Sequence, residues 1–184
     1  MSDNFGESSY HRYLQGDSSA LETFVAACSD TLVRFAYCFV KDGAAAEDIV
    51  QDALATLIIK RRTFSVHDNF RAYLYKTVRN RCIDYLRIHK KTVPLEAVQS
   101  TYAYADIEGD VARRAVYPKI YACLWQLPKQ YSEVLYLAYF DGYKAEQISG
   151  IIRKTKKQTY NLLARAKSTL KEMLNKEGVS YEDL

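Results

Sequence analysis

The stretch that decides the fold is Phe70-Arg-Ala-Tyr-Leu-Tyr-Lys-Thr-Val-Arg-Asn-Arg-Cys-Ile-Asp-Tyr-Leu-Arg87. Basic, aromatic and amide side chains lie mostly off its apolar side. A helix with such an outer face suits a nucleic-acid backbone and unstacked bases. An ordinary core helix with a solvated basic face would show the same pattern, so both interpretations stay open for this window alone. At the period of an α-helix, the predicted apolar stripe consists of Ala72, Tyr75, Val78, Cys82, Ile83 and Leu86.

The composition indicates helices joined by short loops. The chain has 184 residues, with only 7 glycines and 3 prolines, which disfavours a turn-rich β fold. Its 4 cysteines are widely spaced on apolar faces and are predicted to be buried free thiols, not metal ligands. The polar segment Met1–Gly6 predicts no signal peptide, and we expect no membrane span and a cytoplasmic protein.

Positive charge is concentrated in two blocks. Lys60–Lys91 holds 10 Lys and Arg residues against 2 acids, and Lys144–Lys176 holds 9 against 2, although the net charge is only +4. An acidic-leaning segment separates the two blocks. Two basic footprints on one modest chain predict two contacts with a polyanion.

A lead, three helices and a loop are predicted before the stretch that begins at Phe70. Residues 1–16 are expected to form a flexible lead. A helix then starts at Asp17 and runs through Cys28, a second starts at Asp30 or Thr31, and a third covers Ala44–Arg62. The loop 63–69 leads from the third helix into the stretch that begins at Phe70.

The third helix carries a compact, mainly acidic face near its N-terminal end, made of Glu47, Asp48, Gln51 and Asp52. Acidic residues in a first turn are stabilised by the helix dipole, and this accounts well for Glu47 and Asp48. It accounts less well for Asp52, which lies further along the helix. A docking surface for a basic partner is the alternative.

The second half begins with a predicted linker and ends in two consecutive helices. Pro94 and a run of acids mark residues 88–115 as irregular and as the best domain boundary. A short helix ending at Ile152, a break at Arg153–Thr155 and a longer basic helix over Lys156–Lys176 have the outline of a helix-turn-helix. An αα-hairpin with no role on DNA would have the same periodicity.

The predicted fold class is therefore all-α, with two helical domains joined by a flexible linker and a helix-turn-helix in the second. The predicted boundaries are a flexible N-terminus at 1–16, a first domain at 17–90, a linker at 91–115, a second domain at 116–176 and a tail at 177–184.

Several short motifs occur in one register along the chain. They are Ala46-Glu-Asp-Ile-Val-Gln-Asp52, Phe70-Arg-Ala-Tyr-Leu-Tyr75 with Arg79-Asn80 and Asp84-Tyr-Leu-Arg87, Leu127-Pro128 with Glu133-Val-Leu135, and Gln147-Ile148 with Leu163-Ala-Arg-Ala166. In this order and spacing they resemble bacterial sigma factors, and the chain is similar to the extracytoplasmic-function (ECF) group. The resemblance covers roughly residues 17–90 and 115–175.

The resemblance implies a role for each segment. The docking helix, which meets the clamp coiled coil of the RNA polymerase β′ subunit, would use Glu47, Asp48, Ile49, Val50, Gln51 and Asp52. Opening of the minus-ten element and capture of an extruded non-template base would use Phe64, His67, Asn69, Arg71, Tyr75, Lys76, Arg79, Asn80, Arg81 and Arg87. Reading of the minus-thirty-five element would use Arg153, Lys154, Thr155, Lys156, Lys157, Gln158, Tyr160, Asn161 and Arg165. The acidic linker would run through polymerase toward the RNA path.

The implied function is that of a specificity subunit, which binds core polymerase through its β′ clamp and β subunits, selects promoter DNA and assists melting. Many members of the group are also held by an anti-sigma factor. The sequence has no nucleotide-binding glycine loop, catalytic triad or metal constellation, so we expect no enzymatic activity, no cofactor and no membrane insertion. A stand-alone helix-turn-helix regulator is the alternative, and a DNA-modifying enzyme or RNase is disfavoured.

The chain departs from the family pattern at a few positions. Tyr73 stands where Trp is frequent, and Arg153 replaces the usual turn glycine. Tyr160 and Leu162 occupy positions that are commonly basic, while positive charge has gathered upstream at Arg153–Lys157. These changes predict an altered minus-thirty-five preference with a retained phosphate-binding surface.

Overall fold

The computed structural model describes residues 5–65, 69–89 and 111–179, and within these ranges the regular elements are all helical. The chain divides into two compact units, residues 1–98 and 99–184. The prediction of an all-α protein with two helical domains is confirmed. Most of the predicted linker, together with His67 and the end of the predicted tail, lies outside the described residues.

The first unit is organised around one long helix, α2. This helix packs against the three other described helices of the unit, and α3 also packs against α4. The helices are α1 (Glu7–Leu14), α2 (Ala20–Val40), α3 (Gly43–Lys60) and α4 (Phe70–His89).

Helix α1 shows that the prediction of a flexible lead was wrong over the described residues 5–16. Its Tyr10 is completely buried, and the Tyr10 hydroxyl donates hydrogen bonds to the carbonyl oxygens of Leu57 (3.3 Å) and Arg62 (2.9 Å). Gly6, just before the helix, has a φ of 73°, and a Cβ there would lie 3.0 Å from Phe24. The N-terminal segment is thus held by close packing against α2 and the end of α3.

Helix α2 is continuous, so the predicted start of a new helix at Asp30 or Thr31 was also wrong. Asp30 is exposed and Thr31 partly exposed, and polar groups on the outer face do not need to end a helix. The helix is long and apolar enough to span a membrane by length and composition, with a mean hydropathy of 1.3, which the sequence analysis did not expect. Half of that window is buried inside the unit, as is usual for a central core helix.

Aromatic rings fill the contact between α1, α2 and α4. The ring centroid of Tyr10 lies 5.1 Å from that of Phe24 and 5.3 Å from that of Phe70. On α4, Tyr75 packs edge-on against Phe35 of α2, with 4.8 Å between centroids. Such clusters bury a large apolar area, which fixes the start of α4 relative to α1 and α2.

The second unit is formed by four α-helices and one π-helical turn within residues 111–179. They are α5 (Val111–Gln126), α6 (Lys129–Leu135) followed by the π-helical turn Tyr136–Phe140, α7 (Ala145–Ile152) and α8 (Lys156–Lys176). Helix α8 packs against α5, α6 and α7. Buried Ser132 links α6 to α5, because its hydroxyl donates to the carbonyl oxygens of Leu124 (2.7 Å) and Leu127 (3.2 Å).

Helix α5 starts earlier than predicted. Residues 111–115 were assigned to the linker, but they continue into the helix that contains Pro118. The stretch Val111-Ala-Arg-Arg-Ala115 is rich in alanine and arginine, which are strong helix formers, so the acidic residues before it misled the prediction.

The helix-turn-helix has the predicted boundaries. Helix α7 ends at Ile152, Arg153 adopts the left-handed conformation with a φ of 57°, and α8 begins at Lys156. The Arg153 and Lys154 N–H groups both donate to the carbonyl of Ser149, the latter at 3.1 Å, and these bonds close the end of α7.

Candidate nucleic-acid interface

Of the six candidate docking residues on α3, only the polar ones are exposed. Glu47, Asp48, Gln51 and Asp52 are exposed, whereas Ile49 and Val50 are only 7% and 1% exposed. The inclusion of Ile49 and Val50 in the candidate docking set is therefore corrected. At helical spacing these two residues point into the core and hold the helix, so only the polar four remain available to a partner.

The buried face of α4 differs in part from the predicted stripe. It consists of Phe70, Leu74, Tyr75, Val78 and Cys82. Tyr75 was a candidate DNA contact, but it is 0% exposed and its ring lies between those of Phe35 and Phe5, the latter 5.5 Å away. Its assignment to DNA binding is corrected, because a ring enclosed on both sides has no face left for a base.

The remaining polar residues of α4 form a partly exposed surface, made of Arg71, Lys76, Arg79 and Asn80. The Arg71 guanidinium lies 4.7 Å from the ring centroid of Phe5, a cation–π contact that orients the start of this surface. Arg87 is exposed at the far end of α4 and lies 3.3 Å from Asp84 one turn before it.

Arg81 joins two surfaces that the sequence analysis had kept separate. Its Nη2 donates to Thr56 Oγ1 at 2.5 Å, and its Nη1 lies 3.4 Å from Asp52 Oδ2. Arg81 was expected to meet DNA and Asp52 to meet polymerase. In the structure Arg81 connects α4 to α3, and its assignment to DNA binding stays a prediction.

In the loop before α4, the ring of Phe64 packs inward. The ring of Phe64 is half-buried, with centroids 5.0 Å from Phe70 and 5.2 Å from Tyr73. Asn69 caps α4, since its Oδ1 accepts a hydrogen bond from the Ala72 N–H at 2.7 Å. His67 lies outside the described residues. Phe64 and Asn69 therefore have structural roles whether or not they also contact DNA.

Arg62 and Tyr73 were absent from the candidate set, although they lie beside this loop. The Arg62 guanidinium is 4.4 Å from the Tyr73 ring centroid and 5.4 Å from that of Phe64. Arg62 is exposed and Tyr73 partly exposed. The sequence signal was Tyr73, an aromatic residue at a position where the family frequently has Trp. Its contact with Arg62 is seen only in the tertiary structure.

The start of α8 combines a helix cap with a basic surface. The Thr155 Oγ1 accepts from the Gln158 N–H at 3.2 Å, and the Gln158 Oε1 accepts from the Thr155 N–H at 2.9 Å. This reciprocal pair is a capping box, so both predicted DNA contacts also stabilise the helix start. The other polar candidates on this surface are all exposed, namely Arg153, Lys154, Lys156, Lys157, Asn161 and Arg165.

Glu146 of α7 was missed by the sequence analysis. Its Oε1 accepts a hydrogen bond from the Tyr160 hydroxyl at 2.7 Å, which joins the two helices of the helix-turn-helix at the surface. That bond is the main reason that the pKa of Glu146 is lowered and the pKa of Tyr160 is raised. A fourteen-residue separation gives no periodic signal for such a pair.

The two units match two different family descriptions. Residues 24–92 match Sigma-70 region 2, and residues 118–170 match Sigma-70, region 4. The ECF RNA polymerase sigma factor SigM of Bacillus subtilis (strain 168) is 27% identical over 151 residues, which cover 81% of this chain and 91% of that protein. A stand-alone helix-turn-helix regulator is not favoured, because it would leave the match over residues 24–92 without an explanation.

Two solved structures share the fold. One is the sigma factor RpoE from Bartonella quintana, determined with the anti-sigma factor NepR, with a TM-score of 0.64 at 20% identity over 84% of this chain and 96% of that one. The other is CnrH, determined with the cytosolic domain of CnrY, with a TM-score of 0.62 at 19% identity over 91% of this chain and 95% of that one. By its matches to Sigma-70 regions 2 and 4 and its similarity to SigM, the chain belongs to the ECF group of RNA polymerase sigma factors, which bind core polymerase and direct it to promoter DNA.

Proposed function

We propose that the polar outer face of α3 docks on core polymerase, that α4 and the loop before it open the minus-ten element, and that α7 and α8 bind the minus-thirty-five element. The sequence resemblance and the exposure of these surfaces support this division. RNA synthesis belongs to the polymerase. Sigma factors are non-enzymatic regulators, and this chain is proposed to add no reaction of its own and to act in the cytoplasm.

The docking assignment is supported most directly by acidic residues that the helix does not need for its own stability. The start of α3 is already capped, because Asp42 Oδ1 accepts a hydrogen bond from the Ala45 N–H at 3.0 Å. Asp52 lies about two turns beyond the first turn, where the helix dipole has little effect. Exposed acids without a capping role suit a basic partner surface, and this observation carries the proposal.

Asp48 is the best residue with which to test docking. It is exposed and makes no ion pair among the described residues, whereas Asp52 is tied to Arg81. Asp48→Lys should weaken binding to core polymerase by about tenfold, in the range measured for charge contacts at interfaces. The matched control is Asp30→Lys, an exposed acid on α2. Equal affinities of the two variants, with helicity unchanged, would reject the docking face.

The opening role of α4 rests on its partly exposed polar surface. Strand opening requires a base held out of the stack, and amide and basic side chains can contact its edges and the backbone. Asn80→Ala should therefore reduce permanganate reactivity of the melted promoter more than it reduces closed-complex binding. Equal loss of both signals would mean that Asn80 only grips the duplex.

The basic start of α8 suits phosphate contacts. Lys154, Lys156 and Lys157 are exposed beside the capped end of the helix. Removing one of them should flatten the salt dependence of promoter binding by about one unit of slope. An unchanged slope would argue that the residue makes no contact.

An anti-sigma partner is also proposed. It is supported by the Bartonella quintana structure, in which a sigma factor of the same fold is bound to one.

Run-off transcription with purified core polymerase and genomic DNA, followed by mapping of the transcript starts, tests the proposed role of the chain in initiation. Promoter-specific initiation that depends on the chain is expected, and an absence of specific transcripts would reject it.

A further inference from the structure

The hydrogen bond between Tyr160 and Glu146 holds an aromatic ring in place on the outer surface of the helix-turn-helix. Tyr160 lies in the second turn of α8 and is 53% exposed. Its neighbour Thr159 is fully buried and Leu163, three residues on, is also buried, so Tyr160 lies off the packed face of the helix. The ring is therefore accessible to a ligand while its hydroxyl end is held by α7.

This bond limits the chemistry that Tyr160 can offer. The hydroxyl proton is donated to Glu146 Oε1, so it is not available for an acceptor on a base. The bond also lowers the pKa of Glu146 and raises the pKa of Tyr160, so near neutral pH the carboxylate is ionised and the phenol keeps its proton. What remains available is the apolar ring, together with the acceptor lone pairs of the hydroxyl oxygen.

The ring lies within the basic surface of α8. Lys156 and Lys157 lie one turn before it, and Asn161 and Arg165 follow, all of them exposed. Lysine and arginine contacts to phosphates fix the register of a helix on the duplex, while base identity is read by side chains that reach the groove. An apolar ring between such contacts suits the one apolar feature of the major groove, which is the C5-methyl group of thymine.

We propose that Tyr160 is a specificity-determining residue that contacts the C5-methyl group of a thymine in the minus-thirty-five element, and that Glu146 is its positioning residue. The proposal rests on the proposed function of the second unit as the reader of that element. Tyr160 stands where the family commonly has a basic residue, so an apolar contact takes the place of a charge contact. Such an apolar contact favours a thymine at one defined base pair.

The test uses holoenzyme reconstituted from the full chain and core polymerase, and a promoter obtained by mapping transcript starts. Each thymine of the minus-thirty-five element, on either strand, is replaced in turn by deoxyuridine, which lacks only the methyl group. At one position the affinity should fall by about fourfold, as expected for losing the burial of one carbon group. Holoenzyme with Tyr160→Ala should bind the thymine duplex and the duplex with deoxyuridine at that position equally well.

Two variants of Glu146 test the positioning role. Glu146→Gln keeps an acceptor oxygen for the Tyr160 hydroxyl and should keep the discrimination, whereas Glu146→Ala should lose most of it. Circular dichroism of each variant checks that the second unit remains folded. Discrimination that survives in Tyr160→Ala, or a scan in which no thymine methyl matters, would overturn the proposal.

The outcomes also separate this proposal from the one on which it rests. If an unrelated sequence in place of the whole minus-thirty-five element leaves the affinity unchanged, the second unit does not read it and both proposals fail. If that replacement weakens binding while every deoxyuridine substitution is silent, only the role of Tyr160 is rejected.

Discussion

Arg81 shows how one side chain can belong to two surfaces. From its place on the outer face of α4 it was expected to meet DNA, yet it contacts Asp52 and Thr56 of α3. The Asp52 side chain is 76% exposed and that of Arg81 is 33% exposed, so water screens the pair and the bond is weak enough to exchange. A basic polymerase surface that binds Asp52 would compete with Arg81 for the same carboxylate.

A double-mutant cycle measures this pair. Asp52→Asn and Arg81→Gln should each reduce the free energy of unfolding, with a coupling of about 0.2–1 kcal/mol, as found for exposed ion pairs. Urea denaturation of the single and double variants gives the value. Asp48→Asn is the matched control, and an equal coupling of Asp48 with Arg81 would show that the effect is one of net charge and not of the contact.

Tyr10 predicts how the first unit responds to alkaline pH. Burial is the main reason that the pKa of Tyr10 is raised from 10.0 to about 12, so folding favours the neutral phenol. Its contribution to stability is complete below pH 10 and is lost as the pH rises toward 12. Burial likewise raises the pKa of Cys28 from 9.0 to about 12, so the contribution of Cys28 to stability is complete below pH 9 and is lost as the pH rises toward 12.

The variants Tyr10→Phe and Cys28→Ala separate these two contributions. Tyr10→Phe should cost about 1 kcal/mol at neutral pH, because the hydrogen bonds to the α3 end are lost. Between pH 8 and pH 11.5, the free energy of unfolding should fall less in each variant than in the wild type. Urea unfolding at each pH measures it. An alkaline decline identical to that of the wild type in both variants would contradict the assignment.

At the scale of elements, the short helix α1 and the turn before α8 differ in how visible they are in the sequence. Helix α1 has 8 residues and one fully buried anchor, Tyr10, so no helical period emerges. An isolated helix of that length is unstable in water, and α1 forms because Tyr10 packs against other elements. The turn before α8 is local, and its capping residues are within three positions of each other.

The turn residue Arg153 allows a prediction about stability and binding together. A left-handed conformation costs a residue with a Cβ about 1–2 kcal/mol relative to glycine. Arg153→Gly should therefore raise the stability of the second unit by about 1 kcal/mol. It should also lower the salt-dependence slope of promoter binding by about one unit, because a charge is lost. Thermal unfolding and salt titration of binding measure the two effects.

Arg153→Ala is the control for this variant. It removes the same charge but keeps a Cβ in the left-handed turn, so the slope should fall while the stability does not rise. A similar gain in stability in Arg153→Ala would assign the effect to relief of repulsion among the neighbouring lysines.

At the scale of the whole molecule, the two basic surfaces should act independently because they belong to separate units. Lys76→Ala in the first unit and Lys157→Ala in the second should each reduce the slope of log affinity against log salt by about 0.9 in holoenzyme. In the double variant this slope should fall by about 1.8. Lys129→Ala, an exposed lysine outside both surfaces, is the control. A double variant no weaker than either single variant would show that only one surface contacts DNA.

The sequence was sufficient where the signals are short-range. The boundaries of α7 and α8, the all-α class and the burial of the four cysteines follow from periodicity and capping residues that act within a few positions. The assignment of Tyr75, Ile49 and Val50 to contacts with DNA or polymerase was wrong because it followed motif membership, although the apolar stripe had already predicted that Tyr75 is buried. Motif membership does not say which side of a helix faces the core, and these three side chains are buried.

The sequence by itself determined that this chain is helical, that it has two basic blocks, and that its motifs are those of an ECF sigma factor, because these properties depend on composition and on order along the chain. Tertiary structure alone decided that Tyr10 anchors the N-terminus, that Arg81 joins α3 to α4, and that Glu146 holds Tyr160. Each of these contacts links residues at least 14 positions apart. Such pairs form only when packing of the apolar faces has brought their helices together, and no local pattern encodes them.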